Sequence, residues 1–275
     1  APRSGYILRS APDRLIEPEI AKGLGTELVG RKIIRYDAVG STNLLLKDMA
    51  RQGAENGTVV VADTQGMGRG RMERAFFSPP GKGIYVSILL RPNFLPQDAP
   101  KCTLMAAVAV ARAMEKFGLR AAIKWPNDIM HDGRKMVGIL TEMSAEMDRV
   151  NYVVIGIGIN VNIASEDFPE ELRPIATSLM QMKGEPLPRV AFLQELLRAL
   201  DALYACAQQE GFAPVLAAWR EYAVTLGQQV RVIGPAGESF EGMAADIDAE
   251  GALLIDTSTG RRRVLAGDVS IRPKE

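Results

Sequence analysis

A glycine- and arginine-rich segment carries the densest group of chemically useful residues in the chain. It follows Gln65 and spans residues 66–74, with the sequence GMGRGRMER. Glycines let the backbone approach a ligand and point several N–H groups at it, and arginines add planar, charge-assisted donors. Such a segment could bind a phosphate or a carboxylate. A solvated basic turn or an RGG-like nucleic-acid segment has the same composition, but a predicted strand before it and Phe76-Phe77 after it indicate a loop that leaves a folded core.

A second group is the run KWPND at residues 124–128, where a predicted strand ends. Pro126 stiffens the strand exit, and Trp125 offers a flat apolar face. Asn127 and Asp128 offer oxygen ligands that could hold Mg²⁺ or a hydroxyl group. A turn in which the Asn and Asp side chains cap the backbone explains these two residues equally well. That turn would not require the lysine and tryptophan before them.

Lys135 and three glycines form the third group. Lys135 begins the predicted strand KMVGIL, either as a solvated strand end or as a point charge for a triphosphate. Gly138, Gly156 and Gly158 interrupt strands otherwise made of valine and isoleucine. Glycine inside a strand costs stability and often marks the close approach of a ligand or of another backbone. Close packing inside the protein is an equally good explanation.

Alternating strands and helices are predicted to position these groups. The predicted strands are residues 32–38, 58–63, 83–90, 120–125, 135–143 and 152–162, of which the last two are expected to form a hairpin. The predicted helices are residues 43–52, 101–117, 189–208 and 213–222. From Gly227 onward, five short strands within about 50 residues favour a small barrel.

Composition excludes several classes of function. The 275 residues suit one large α/β domain, or a catalytic domain of about 220 residues with a small appendage. Lysine plus arginine equal aspartate plus glutamate at 33 each, so there is no general attraction to nucleic acid or to anionic membranes. His131 is the only histidine, which argues against Ser-His-Asp catalysis, and Cys102 and Cys206 lack metal-ligand spacing. With no membrane span or secretory signal in the sequence, we expect a cytoplasmic protein.

Taken together, the motifs resemble the biotin protein ligase family in order and approximate spacing. They are Ser41-Thr42-Asn43, Gln65 with the glycine–arginine segment, KWPND, Lys135 with VGIL, and GIGINVN at residues 156–162. The resemblance is strong over residues 35–165 and weaker toward the C-terminus. It implies an α+β fold, with a mixed-sheet, class II synthetase-like catalytic domain of the biotin–lipoate ligase type and a C-terminal SH3-like β-barrel. The expected division is an N-terminal linker at 1–30, a catalytic domain at 31–224 and the barrel at 225–275.

The resemblance also implies a two-step reaction that uses biotin, ATP and Mg²⁺. Biotin is first activated as biotinyl-5′-AMP and is then transferred to a lysine of a biotin carboxyl carrier protein or a carboxylase acceptor domain. The implied catalytic residues are Arg71, Lys135 and Asp128, and the implied phosphate-binding residues are Arg69, Arg71, Lys135 and Asn127. The implied biotin-binding residues are Ser41, Thr42, Asn43, Gln65, Arg69, Gly70, Arg71, Gly138 and Gly158. No fixed protein site for a metal is expected.

The sequence departs from the family pattern at two positions and leaves several alternatives open. Glu73 stands where the family has a glycine, and Phe76 stands where it has a nearby tryptophan. Residues 5–24 look like the linker that leaves an N-terminal winged-helix domain, and no helix-turn-helix precedes them. A natural single-function form and a trimmed one both fit, as do a monomer and a homodimer.

Two other functions compete with the ligase interpretation. A lipoate protein ligase would share the fold and the acyl-adenylate chemistry. A nucleic-acid-binding module could use Arg69, Arg71 and Arg74 together with the arginine run at 261–263. The zero net charge and the absence of a recognised reader motif count against this second alternative.

Overall fold

A seven-stranded mixed sheet forms the larger part of the protein. The structure, a computed structural model, describes residues 13–68, 70, 75–234, 237–266 and 270–273. The strands of this sheet are β1 Ile33–Val39, β2 Val59–Gln65, β3 Gly83–Leu90, β4 Ala122–Lys124, β5 Asp128–His131, β6 Arg134–Ala145 and β7 Val150–Asn160. Their order is β1-β2-β3-β7-β6-β5-β4, with β1 and β2 parallel and the other neighbours antiparallel. The predicted mixed sheet and the hairpin of β6 with β7 are confirmed.

Helices cover both faces of this sheet. They are α1 Glu17–Ala21, α2 Thr42–Arg51, α3 Lys101–Lys116, α4 Leu179–Lys183, α5 Arg189–Glu210 and α6 Ala213–Tyr222, with 3₁₀ turns at Pro96–Asp98, Ser165–Asp167 and Glu170–Leu172. The main core packs one face of the sheet against α3, α5 and α6, while α2 packs on the other face beside Val60, Leu89 and Val154. Strand β3 is buried along its whole length, because an apolar strand covered on both faces needs no polar side.

The described part of the predicted N-terminal linker packs onto α5. Ile20 of α1 is fully buried in the main core. The Asp201 carboxylate of α5 accepts hydrogen bonds from three consecutive backbone N–H groups, at residues 27–29. In return, the Asp13 carboxylate accepts the N–H of Arg189 in the first turn of α5. Residues 13–30 are therefore packed onto the folded domain, with Leu15, Ile20, Leu24 and Val29 in its core. The domain boundaries drawn from the sequence stay predictions.

A second, five-stranded antiparallel sheet forms the C-terminal part. Its strands are β8 Gln229–Ile233, β9 Ser239–Ile247, β10 Leu253–Thr257, β11 Gly260–Val264 and β12 Ser270–Pro273, in the order β11-β10-β9-β8-β12. The five predicted short strands are thus confirmed. Trp125 joins the two sheets: its indole N–H donates to the Gly251 carbonyl at 3.2 Å, and its backbone N–H donates to Thr225 Oγ1 at 2.9 Å.

Each arginine of the 261–263 run has a partner inside this second sheet. Arg261 pairs with Asp256, Arg262 lies 3.9 Å from the centre of the Phe240 ring, and Arg263 pairs with Asp248. Burial alone would raise the pKa of Asp248, but the Arg263 guanidinium and two backbone N–H donors outweigh it and hold this pKa below its usual range. The run is therefore engaged within the sheet, which weakens the nucleic-acid alternative. No helix in the described part of the chain is long and apolar enough to cross a membrane.

Candidate active site

A pocket lies where the start of α2 and the end of β2 meet the paired strands β6 and β7. Its walls are Ser41, Thr42, Asn43, Gln65, Gly70, Phe76, Asn127, Lys135, Gly138, Ile139, Leu140, Gly156, Ile157 and Gly158. Every predicted site residue that the structure describes lines this pocket, except Asp128, which pairs with one that does. Arg69, Arg71 and Glu73 lie outside the described residues. The five sequence motifs therefore meet at one place in the fold, and the roles assigned to their residues stay predictions.

The start of α2 is held by Gln65 from the neighbouring strand. Ser41 precedes the helix in an extended conformation, and its side chain makes no capping hydrogen bond. The Gln65 side-chain oxygen, Oε1, accepts the Thr42 backbone N–H at 2.9 Å and lies 3.1 Å from the Thr42 hydroxyl. A helix start needs such acceptors for its first N–H groups. Because Gln65 uses its side-chain oxygen in this way, its amide nitrogen is the part it can offer to a ligand, and one N–H of that nitrogen also points to Ser78 Oγ at 3.4 Å.

Asn43 lies beneath the pocket with both ends of its amide bonded inside the protein. Its Nδ2 donates to the Leu140 carbonyl at 3.2 Å and to the Glu142 carboxylate at 3.0 Å. Its Oδ1 lies 2.6 Å from Ser87 Oγ. A Cβ atom at Gly156 would be 2.2 Å from Asn43 Oδ1, so a glycine is required there. Asn43 is thus built into the pocket wall, and the glycine found in the sequence makes room for it.

The other two strand glycines face an aromatic ring. Gly138 and Gly158 are opposite each other in the pairing of β6 with β7. A Cβ atom at Gly158 would lie 2.7 Å from the Phe76 ring, and one at Gly138 would lie 3.2 Å from it. The ring also makes an edge contact with Tyr85. The sequence predicted that these glycines leave room for a ligand ring. In the structure the Phe76 ring lies over both glycines and occupies that space. Phe76 is one of the two residues that depart from the family pattern.

Lys135 and Asp128 form an ion pair at the edge of the pocket. Nζ of Lys135 lies 2.6 Å from a carboxylate oxygen of Asp128, with the two side chains 33% and 26% exposed. The Lys135 backbone is held by the segment at 175–177. Its N–H donates to the Ile175 carbonyl at 2.8 Å, and its carbonyl accepts the Thr177 N–H at 3.0 Å. Asn127 is fixed by its side-chain N–H, which donates to the Ile139 carbonyl at 3.0 Å. The lysine is therefore a partly exposed cation on a firmly held strand end.

Sequence reasoning missed Ser87, Glu142 and Lys47. Ser87 is fully buried in β3, and Lys47 of α2 pairs with Glu142 of β6 at 2.6 Å. One signal was available: a serine inside the apolar run GIYVSILL must find a hydrogen-bond partner when buried. Trp125 was considered as an apolar face for a ligand, but it points to the C-terminal sheet and stabilises the contact between the two sheets.

Among the described residues, no three carboxylate, cysteine or histidine side chains converge as metal ligands. Among the charged residues that the structure describes, Lys135 and Asp128 form an ion pair at the pocket rim. The pocket has a polar wall of amides and hydroxyls, a floor of glycines and a cation at one end. Such a pocket could bind an elongated ligand with a polar ring and an anionic group.

Comparison of the sequence with known proteins identifies the family. The chain matches the profile of the biotin/lipoate A/B protein ligase family over residues 36–160 and that of the biotin protein ligase C-terminal domain over residues 225–272. It is 45% identical over 270 residues to the bifunctional ligase/repressor BirA of Bacillus spizizenii, covering 98% of this chain and 83% of that protein. It is 34% identical over 269 residues to the biotin–[acetyl-CoA-carboxylase] ligase of Mycobacterium tuberculosis, covering 94% and 97%.

A solved structure agrees with this relation. The biotin protein ligase of Aquifex aeolicus in complex with biotin and ATP aligns with a TM-score of 0.78 and 28% identity, over 89% of this chain and 100% of that one. The fold and site thus define a ligase of the biotin–lipoate class. Within that class, the chain belongs to the biotin protein ligase family, which confirms the resemblance and the fold predicted from the sequence.

Proposed function

We propose that this protein activates biotin with ATP as biotinyl-5′-AMP and transfers the biotinyl group to a lysine of a carboxylase biotin-carrier domain. The observation that carries the proposal is the order of groups along the pocket. Thr42 and Gln65 lie at one end, beside Ser87, which pairs with Gly156. Gly158 follows along β7 opposite Gly138, and Lys135 lies beside Gly138 at the rim. Biotin has a polar ureido ring at one end and a carboxylate at the other, so it matches this order.

In the first step, the biotin carboxylate attacks the α-phosphorus of ATP. A bond forms between a carboxylate oxygen and phosphorus, and the bond to the bridging oxygen breaks as pyrophosphate leaves. Negative charge grows on the phosphate oxygens, and fixed cations lower the barrier. Lys135 would supply one such cation by exchanging part of its contact with Asp128 for a phosphate oxygen. By family position, Arg69 and Arg71 would supply the others, and Asn127 would complete the phosphate contacts.

In the second step, the amine of the acceptor lysine attacks the acyl carbon and AMP leaves. A free lysine amine has a pKa near 10.4, so little of it is neutral at pH 7. We assign to Asp128 the role of orienting this amine and accepting its proton, since its carboxylate lies at the pocket rim. The nucleotide is taken as Mg-ATP, with the metal carried by the substrate. We propose the cytoplasm as the location, because the reaction consumes ATP and acts on carboxylase subunits.

A lipoate-activating enzyme is the second candidate, since one of the two matching profiles covers both kinds of ligase. The C-terminal domain profile and the related proteins described above favour biotin instead. ATP–pyrophosphate exchange with Mg²⁺ and either biotin or lipoate separates the two. We expect exchange with biotin, none without an acid substrate, and no competition by lipoate. Exchange that does not require biotin, or that lipoate supports equally well, would refute the proposed function.

A further inference from the structure

Ser87 places a single buried hydroxyl between two residues of the pocket wall. It lies in the middle of β3, with Val86 and Ile88 as neighbours, and it is fully buried. Its Oγ is 2.6 Å from Asn43 Oδ1 and 2.8 Å from Thr42 Oγ1. A buried hydroxyl has one hydrogen to donate and can accept two. It can therefore donate to only one of these two oxygens.

The orientation of Asn43 decides which oxygen receives that hydrogen. Lys47 binds one carboxylate oxygen of Glu142 at 2.6 Å, and the other oxygen accepts a hydrogen bond from Asn43 Nδ2. The Leu140 carbonyl accepts from the same amide nitrogen. Turning the amide over would place Asn43 Oδ1 against both of these acceptors. The ion pair therefore holds Oδ1 toward Ser87, where it needs a donor because an unpaired buried acceptor is costly.

Counting hydrogens then fixes the direction of the whole chain. If Ser87 donated to Thr42, and Thr42 to the Gln65 oxygen 3.1 Å away, Asn43 Oδ1 would be left without a donor. If Thr42 donates to Ser87 and Ser87 donates to Asn43, both of those oxygens are satisfied. The Gln65 oxygen then keeps the Thr42 backbone N–H at 2.9 Å. A third arrangement, in which Ser87 donates to Asn43 while Thr42 donates to Gln65, would leave the Ser87 and Thr42 oxygens 2.8 Å apart with no hydrogen between them. The second arrangement places a hydrogen in this shorter contact and leaves only the 3.1 Å contact with Gln65 without one, so it is the favoured one.

We propose that Ser87 is a positioning residue that makes Thr42 Oγ1 a hydrogen-bond acceptor toward the pocket. With its only hydrogen given to Ser87, Thr42 can accept a ligand N–H but cannot donate to a ligand oxygen. The pocket therefore selects a cyclic ligand that presents an N–H group at this point. The inference rests on the proposed function, in which that group is one of the two N–H groups of the biotin ureido ring.

The test compares biotin with two analogues, in each of which a ring oxygen replaces one ureido N–H. For the wild-type protein, we expect one of the two analogues to have a KM at least tenfold above that of biotin, because its ring oxygen would face Thr42 Oγ1. Ser87→Ala frees the Thr42 hydroxyl to rotate and donate. We expect the variant to bind biotin about tenfold more weakly and to lose most of its discrimination against that analogue. KM for ATP should stay unchanged.

A matched control separates positioning from loss of stability. Thr58 is also fully buried, and its hydroxyl donates to the Glu55 carbonyl at 2.7 Å at the far end of β2. Thr58→Val should change the melting temperature without changing the ratio of KM values for analogue and biotin. In a Thr42→Val background, which removes the hydroxyl that Ser87 orients, Ser87→Ala should have no further effect on the ratio. This background also tests the proposal by itself, since Thr42→Val alone should abolish the discrimination.

Three results would overturn the proposal: equal binding of both analogues and biotin by the wild type, an unchanged ratio in Ser87→Ala, or an unchanged ratio in Thr42→Val. Failure of the proposed function looks different, because biotin-dependent pyrophosphate exchange would then be absent in the wild type itself.

Discussion

Replacing Lys135 with alanine should slow adenylation strongly while leaving the fold almost intact. Nζ of Lys135 lies 2.6 Å from Asp128, and both side chains are about one-quarter to one-third exposed. Pairs with this much solvent contact contribute about 0–1 kcal/mol to stability, because water screens them. Loss of the pair itself should therefore lower the melting temperature by only a few degrees at most.

The expected kinetic effect is larger because it arises in the transition state. A charge-assisted hydrogen bond to a phosphate oxygen contributes about 1.5–3 kcal/mol, which corresponds to a roughly 10- to 150-fold slower adenylation step. Single-turnover formation of biotinyl-AMP measures this step directly, and a thermal melt of the same sample measures stability. Lys82→Ala is the matched control: Lys82 pairs with Asp167 at 2.5 Å with similar exposure, and neither residue lines the pocket.

The reasoning would be refuted if Lys135→Ala formed biotinyl-AMP within about threefold of the wild-type rate. It would also be refuted if Lys82→Ala were slowed to the same extent, since the loss would then reflect a general effect on the fold. In either case Lys135 would be an ordinary solvated strand end, the alternative that its sequence position left open.

The other predictions concern the floor of the pocket, the contact between the sheets and the response to acid. Gly156→Ala would place a methyl group 2.2 Å from the Asn43 amide oxygen, so KM for biotin should rise at least about tenfold; an unchanged KM would contradict the role of Asn43. Trp125→Phe removes the indole hydrogen bond to Gly251, so the free energy of unfolding measured in urea should fall by about 1 kcal/mol. Adenylation should stay normal, and slowed adenylation with unchanged stability would contradict this prediction. The pKa of Asp248 is lower in the folded than in the unfolded protein. The stability that this carboxylate contributes is therefore present above its unfolded pKa, near 4, and is lost as the pH falls through the folded pKa. Asp248→Asn should therefore lower the melting temperature more at pH 7 than at pH 2, and an equal loss at both would contradict the argument.

The elements and the location of the site could be predicted because local signals in the sequence are strong. The apolar run of β3 and the alanine-rich α3, which ends before Gly118 with its φ of 73°, were both visible as patterns. The site was predictable because its residue types are unusual for their places: polar residues at strand ends and a helix start, and glycines inside apolar strands. Polar and glycine-rich residues in those places meet whenever the strands pair in register.

The partners of individual side chains could not be predicted, because they depend on that register. Nothing in the sequence indicates that Asp128 on one strand faces Lys135 on the next, or that Phe76 covers Gly158. The same holds for Ser87, whose burial was predictable but whose contact with Asn43 requires α2 to lie across β3. The type of a residue shows which groups it can bind, and the tertiary fold determines which of them it contacts.

A crystal structure of the protein with biotin and ATP tests the central claim most directly. The account predicts biotin, or biotinyl-AMP formed from it, in the pocket, with the ureido ring within hydrogen-bond distance of Thr42 and Gln65. The phosphate should lie near Lys135, with the Lys135–Asp128 distance longer than 2.6 Å. Biotin bound elsewhere on the protein, or seated with its carboxylate toward Thr42 and its ring toward Lys135, would contradict the account.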